Sequence, residues 1–357
     1  MDAVTDAVTD AVTAPEGPGF RSPLLAVPGA VAAEAADAGV AWHYGDPVRE
    51  QRALESGVGT VDLSHRGVVR IAGPDRLSWL HSLTSQALDG LPAHTSTETL
   101  VLSPHGHIEH DLHVVDDGEA IWASVEPGTA GALVEWLDRM RFMLRVEVAD
   151  VSDAWAVLGE PVARESEPGE PLAWRDPWPA LGPSTAGYAV VDDDAHPGTD
   201  RAWREVLVPR DRLAEHADLD HLAGTWAAEA LRVAAWRPRL GFETDHRTIP
   251  HEVDWLRTAV HLEKGCYRGQ ETVARVHNLG RPPRRLVLLH LDGSAEKLPG
   301  HGSDVVQGER RVGQVTSSAR HHVLGPVALA LIKRSVPPDA VLTVDGVAAA
   351  QEIIVAP

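Results

Sequence analysis

A single cysteine, Cys266, stands in 357 residues. No intrachain disulfide is available, so the fold has to be held by buried apolar surface. The chain is long enough for two or three domains, and its apolar share of 43% supplies the core they need. One thiol cannot by itself hold an iron–sulfur cluster, which generally takes several cysteines. It also fits a reducing compartment, and the expected location is cytoplasmic.

The cysteine lies in Lys264-Gly265-Cys266-Tyr267-Arg268-Gly269-Gln270-Glu271. Glycines at 265 and 269 allow positive φ and close backbone approach, which predicts a tight loop. Neighbouring cations favour the thiolate, and a helix starting near Gln270 pushes the same way, although Glu271 opposes it. Against this stands the ordinary fate of a lone cysteine, a small, inert, buried side chain.

The net charge of −20 argues against broad, sequence-independent binding to nucleic acid or to an anionic membrane. No apolar run reaches the roughly 18 residues of a membrane span, and the N-terminus lacks a signal-peptide pattern. Neither a membrane nor a nucleic acid is expected as a direct partner.

Asp-Ala-Val-Thr occurs three times, from Asp2, Asp6 and Asp10, and is followed by Pro15, Gly17, Pro18 and Gly19. Residues 1–40 therefore read as a disordered or weakly ordered tail, with some helical character at 30–40. Residues 41–283 read as the main body and 284–357 as a β-rich end. Within the body, 100–113 reads as strand, Pro/Gly turn, strand. Leu133, Trp136, Leu137 and Met140 mark an amphipathic helix. Residues 161–197 read as an irregular excursion, 203–208 as a strand, and 222–236 as an alanine-rich helix stopped by Pro238. Asp345-Gly346 between two apolar runs predicts a hairpin. His105, His107, His110 and His113 suggest a metal, but strand alternation puts 110 and 113 on opposite faces, so no metal site is expected.

Lys-Gly-Cys-Tyr-x-Gly-Gln-Glu resembles the signature of the YgfZ family. These are folate-binding relatives of the aminomethyltransferase (T-protein) of the glycine cleavage system, and they support iron–sulfur enzymes, including one that modifies tRNA. The resemblance implies an α+β fold: two ferredoxin-like lobes and a C-terminal β-barrel in a ring around a folate channel. Val61-Asp62-Leu63-Ser64-His65-Arg66-Gly67 resembles the opening of the superfamily, which makes His65 and Arg66 candidates for the channel wall. Asp111 matches an aspartate that, in the transferase, helps the folate nitrogen attack the aminomethyl group; His110 stands where a second acid is common.

By the same resemblance, Glu205, Arg232, Lys264, Tyr267 and Arg268 are expected to contact tetrahydrofolate or a one-carbon derivative. For Arg232 a surface ion pair is an equal alternative. Arg275, Arg281, Arg284 and Arg285 form a basic run that suits the folate glutamates. Cys266 and Asp111 are the candidate catalytic residues. The implied function is a folate-binding accessory protein for iron–sulfur cluster assembly or repair, whose partners are folate and client enzymes or assembly proteins. Cys266 would serve as nucleophile, transient ligand or exchange thiol. The alternative is a folate-dependent aminomethyl or one-carbon transferase using Asp111, and a third reading is a folate carrier without chemistry.

Overall fold

The computed structural model describes residues 20–293 and 297–357; the Asp-Ala-Val-Thr repeats lie outside the described residues. The first sheet holds Ser96–Leu102, Ile108–Asp116, Ala120–Val125, Gly67–Ala72 and Glu147–Asp150, neighbours in that order and all antiparallel. Helices Arg76–Leu83 and Ala130–Met140 cover one face of it. Trp79, Leu80, Leu133 and Leu137 pack there on Val69, Ile71, Leu112, Val114, Ile121 and Ala123. The predicted amphipathic helix is thus present. Strand alternation sends Asp111, His113 and Val115, with Trp122 and Ser124, to the opposite face.

That face meets the second sheet, ordered Ala173–Arg175, Arg204–Pro209, Trp155–Glu160, Thr60–Asp62 and Leu222–Ala223. Only the last strand is parallel to its neighbour. Val157 and Leu207 join Val68, Val115 and Trp122 in an apolar cluster between the two lobes.

The third unit is a closed barrel of Arg284–Leu291, Gly325–Lys333, Arg310–His321, Asp304–Gln307, Leu342–Val344 and Val347–Ile353. The last strand pairs back on the first, Val287 opposite Ile353, so no edge is left open. Asp345 and Gly346 both have positive φ (50° and 81°), as a two-residue type I′ hairpin requires. The largest core cluster draws on all three units, with Leu100 and Ile108, Val233 and Trp236, and Leu286, Leu329 and Val355.

Two sequence expectations change. Residues 20–40 are part of the folded body: Leu24 is 1% exposed, Val31–Ala32 pairs with Ala41–His43, and Ala35–Asp37 is a 3-10 turn instead of a helix. The helix expected over 222–236 spans only Thr225–Ala234. Gly224 is its extended N-cap, because a Cβ there would meet the Trp42 carbonyl oxygen at 2.1 Å; this close approach ends the strand Leu222–Ala223 and starts the helix.

Candidate functional site

Where the lobes meet helix Thr225–Ala234, charged side chains surround a cavity of about 60 Å³. At roughly 30 Å³ per water this is room for about two waters. Asp111 and His113 enter from the first sheet, Glu205 and Trp174 from the second, and Glu229 and Arg232 from the helix. His65 and Arg66 come from the turn before Gly67–Ala72, Arg237 and Arg239 from the segment after the helix, and Asp37 from the N-terminal segment. Of the site residues expected from sequence, Asp111, Glu205 and Arg232 are brought together here, as are His65 and Arg66.

His113 is the hinge of the site. Its Nε2 lies 3.2 Å from Asp111 Oδ2 and its Nδ1 2.9 Å from Glu205 Oε2. The ring stacks on Trp174, with centroids 3.8 Å apart and an interplanar angle of 5°. Burial alone disfavours the imidazolium, but Glu205 and Asp111 outweigh it and push the pKa up to about 9. Burial likewise opposes ionisation of Glu205, yet Arg66 and His113 hold its carboxyl well below the usual range. His113 is therefore a cation clamped between two carboxylates.

The remaining charges are paired just as closely. Arg239 reaches Asp37 at 2.7 Å and Glu126 at 2.9 Å; Arg66 lies 3.2 Å from Glu126. Arg232, 5% exposed, bonds Glu229 and Glu243, each at 2.8 Å, so its pair is buried and not on the surface. Three buried atoms in this lining have no partner: Asp111 Oδ1, an acceptor, Arg237 Nη1, a donor, and His65 Nδ1. Glu98, Asp111 and His113 have ligand atoms close enough for a metal ion. However, both His113 nitrogens already face carboxylates, and Glu98 accepts from Arg237, Trp255 Nε1 and Thr258 Oγ1. The arrangement is that of an ion-pair network.

Lys264, Cys266, Tyr267 and Arg268 are not among the residues lining this cavity. Cys266 is exposed, on a loop that leads into helix Gln270–Leu279. Gly269 (φ 84°) seats the loop on the turn after Ser96–Leu102, where a Cβ would meet the Ser103 carbonyl oxygen at 2.6 Å. The two cations expected to activate the thiol are engaged elsewhere. Lys264 Nζ donates to the carbonyls of His81, Thr84 and Gln86, and burial lowers its pKa to about 8. Arg268 pairs with Glu109 at 2.8 Å. Tyr267 is 7% exposed and belongs to the central core.

The basic run also disperses. Arg284 is taken by Asp245 and Glu252, Arg285 is fully buried in the barrel, and Arg281 bonds the Pro357 carbonyl. His110 is buried on the face opposite His113, near Arg268, and burial lowers its pKa to about 4. Sequence reasoning missed His113 as a site residue, and with it Trp174, Arg237 and Arg239. Trp174 comes from the excursion 161–197, where no periodicity marks it. Arg237-Pro238-Arg239 was legible only as a helix stop.

With this geometry in hand, two family models match the chain: the GCVT N-terminal domain over residues 24–160 and the glycine cleavage T-protein C-terminal barrel domain over 284–354. Cys266 falls between them. A chloroplastic protein of Arabidopsis thaliana with a provisional transferase name is 28% identical over 282 residues, which cover 74% of this chain and 62% of that relative. The chain thus spans less than two thirds of that protein's length. The aminomethyltransferase of Moorella thermoacetica is 26% identical over 311 residues, covering 81% of this chain and 82% of that one. In three dimensions the fold is similar to that of the glycine cleavage system aminomethyltransferase T of Bartonella henselae. The TM-score is 0.69 at 18% identity, over 94% of this chain and 95% of the other. Two α/β lobes, a closed terminal barrel and both domain matches lead to one placement: the chain belongs to the glycine cleavage T-protein superfamily.

Proposed function

We propose that the protein binds tetrahydrofolate or a one-carbon derivative at the charged cavity and acts as a one-carbon transferase of the aminomethyl type, with Asp111 as the working carboxylate. The observation that carries this is the state of Asp111. It is 4% exposed, one oxygen faces His113, and the other has no partner. A buried acceptor left unsatisfied costs roughly 1–3 kcal/mol, which an incoming N–H group would recover. An amine nitrogen that gains positive charge as its lone pair bonds to the carbon is such a group.

The cavity suits part of the ligand. A volume of about 60 Å³ admits one edge of a bicyclic ring, so the pteridine would enter edge-on from the mouth and the rest of folate would lie outside. Glu205, Arg232 and the Trp174–His113 pair would hold the ring. Bound folate would supply the nitrogen that carries the one-carbon unit. The chain's own part would be to orient that nitrogen and to keep an anion beside it.

The accessory role in iron–sulfur assembly or repair is the second reading, favoured by the exposed Cys266 in its YgfZ-like loop. It ranks second because Lys264 and Arg268 are spent on protein groups.

Calorimetry with tetrahydrofolate at low and physiological salt, followed by transfer assays with an amine donor, tests the first reading. Wild-type protein should bind and transfer. Asp111→Ala should lose about a hundredfold or more in rate while folded, and Cys266→Ser should keep it. Absence of binding at millimolar ligand, or transfer indifferent to Asp111, would sink it. If Cys266→Ser transfers normally yet fails to restore iron–sulfur enzyme activity in cells lacking the protein, the second reading gains the site.

A further inference from the structure

The seam between the lobes runs from the charged cavity to a second, larger hollow. On Ile108–Asp116, Asp111 and His113 are followed on the same face by Val115, and Asp117 comes just past the strand end. On Arg204–Pro209 the run is Glu205, Leu207, Pro209. On Ala120–Val125 it is Trp122 and Ser124, with Glu126 just beyond. One end of each run lines the charged cavity, and the other lines a hollow of about 730 Å³. Val115 and Leu207, midway along two of these runs, belong to one apolar cluster with Val68 and Val157.

The hollow has the size of a small-molecule site, roughly 300–1,000 Å³. Trp122 and Trp155 meet edge to face with centroids 4.7 Å apart, and Leu172, Leu207 and Pro209 continue the apolar wall. Arg70 already covers Trp122 at 5.5 Å, which leaves Trp155 as the ring for a ligand to stack on. The charged groups at the rim are satisfied. Asp117 accepts from two backbone N–H groups and Trp122 Nε1, Glu170 is held by Arg164, and Arg212 by Glu215. Among the described residues lining the hollow, His216 Nε2 is the buried polar atom without a partner.

We propose that this hollow is a second ligand site, for a flat, uncharged aromatic molecule of one or two rings bearing one hydroxyl or ring nitrogen. The ring would lie against Trp155 and the substituent would meet His216 Nε2. A fully charged ligand would find little counter-charge, since Asp117, Glu170 and Arg212 are already paired and Glu167 shares Arg164 with Glu170. The site is independent of what fills the charged cavity.

Calorimetry of the full chain with 2-naphthol as probe tests it. Saturable binding is expected, weakened about tenfold or more by Trp155→Ala and about fivefold by His216→Phe, which keeps a ring but removes the nitrogens. Tetrahydrofolate binding should be unchanged in both. His216→Phe lies on a short, half-buried surface helix, so it reads out the site even if Trp155→Ala fails to fold. No saturable heat at millimolar 2-naphthol, or wild-type affinity in His216→Phe together with any folded Trp155→Ala, overturns the proposal.

Discussion

His113 makes the site sensitive to pH. Its folded pKa of about 9 stands above the ordinary 6.5, so between those values the folded state binds more protons than the unfolded chain. The contribution is therefore complete below about pH 6.5 and is lost as pH rises through 9, on the order of 3 kcal/mol in all. Urea denaturation from pH 6 to 9.5 should show that fall in wild type. His113→Gln should flatten it and should cost several kcal/mol at pH 6, because Asp111 and Glu205 would lose their shared cation. A wild-type curve as flat as the variant's would mean that His113 is neutral in the fold. Asp111, Glu205 and Arg232 were legible beforehand because each sits in a short stretch that resembles a superfamily motif. The role of His113 was not, since alternation fixed its face but could not show which carboxylates would cross from the second sheet to meet it.

At the scale of elements, the Cys266 loop is held by Lys264, whose ammonium satisfies three carbonyls around the end of helix Arg76–Leu83. Lys264→Met should leave those carbonyls unpaired, cost about 1–3 kcal/mol and loosen the loop. Faster iodoacetamide labelling of Cys266 in the native protein, with a lower Tm, would report it; unchanged labelling would show that Gly269 alone seats the loop. Elements with strong local patterns, such as the helix Ala130–Met140 and the Asp345–Gly346 hairpin, were readable from sequence. The break at Gly224 was not, because its cause is the Trp42 carbonyl about 180 residues upstream. The ordering of residues 20–40 was equally hidden, since small residues gain structure there from distant partners: pairing with Ala41–His43, burial of Leu24 and the Asp37–Arg239 ion pair.

Across the whole molecule, Glu243 ties the body to the barrel. Fully buried, it accepts from Arg232 and the Arg239 N–H on one oxygen and from Thr316 and Ser317 on the other. Glu243→Ala should cost roughly 3–5 kcal/mol and separate the unfolding of the two parts. All eleven tryptophans precede residue 284, so fluorescence follows the body alone while far-UV circular dichroism follows both. The two probes should coincide in wild type and split in the variant; coincidence in both would show that the apolar interface suffices. The barrel's closure has a further bearing, on how the chain is made. Its first strand, Arg284–Leu291, waits for Val347–Ile353, and Ile354 and Val355 complete the core around Leu100 and Trp236. A ribosome adding roughly 5–20 residues per second needs several seconds to cover that distance. During that interval the nascent body presents an unsealed apolar face, and it is then that a chaperone would be most useful to it.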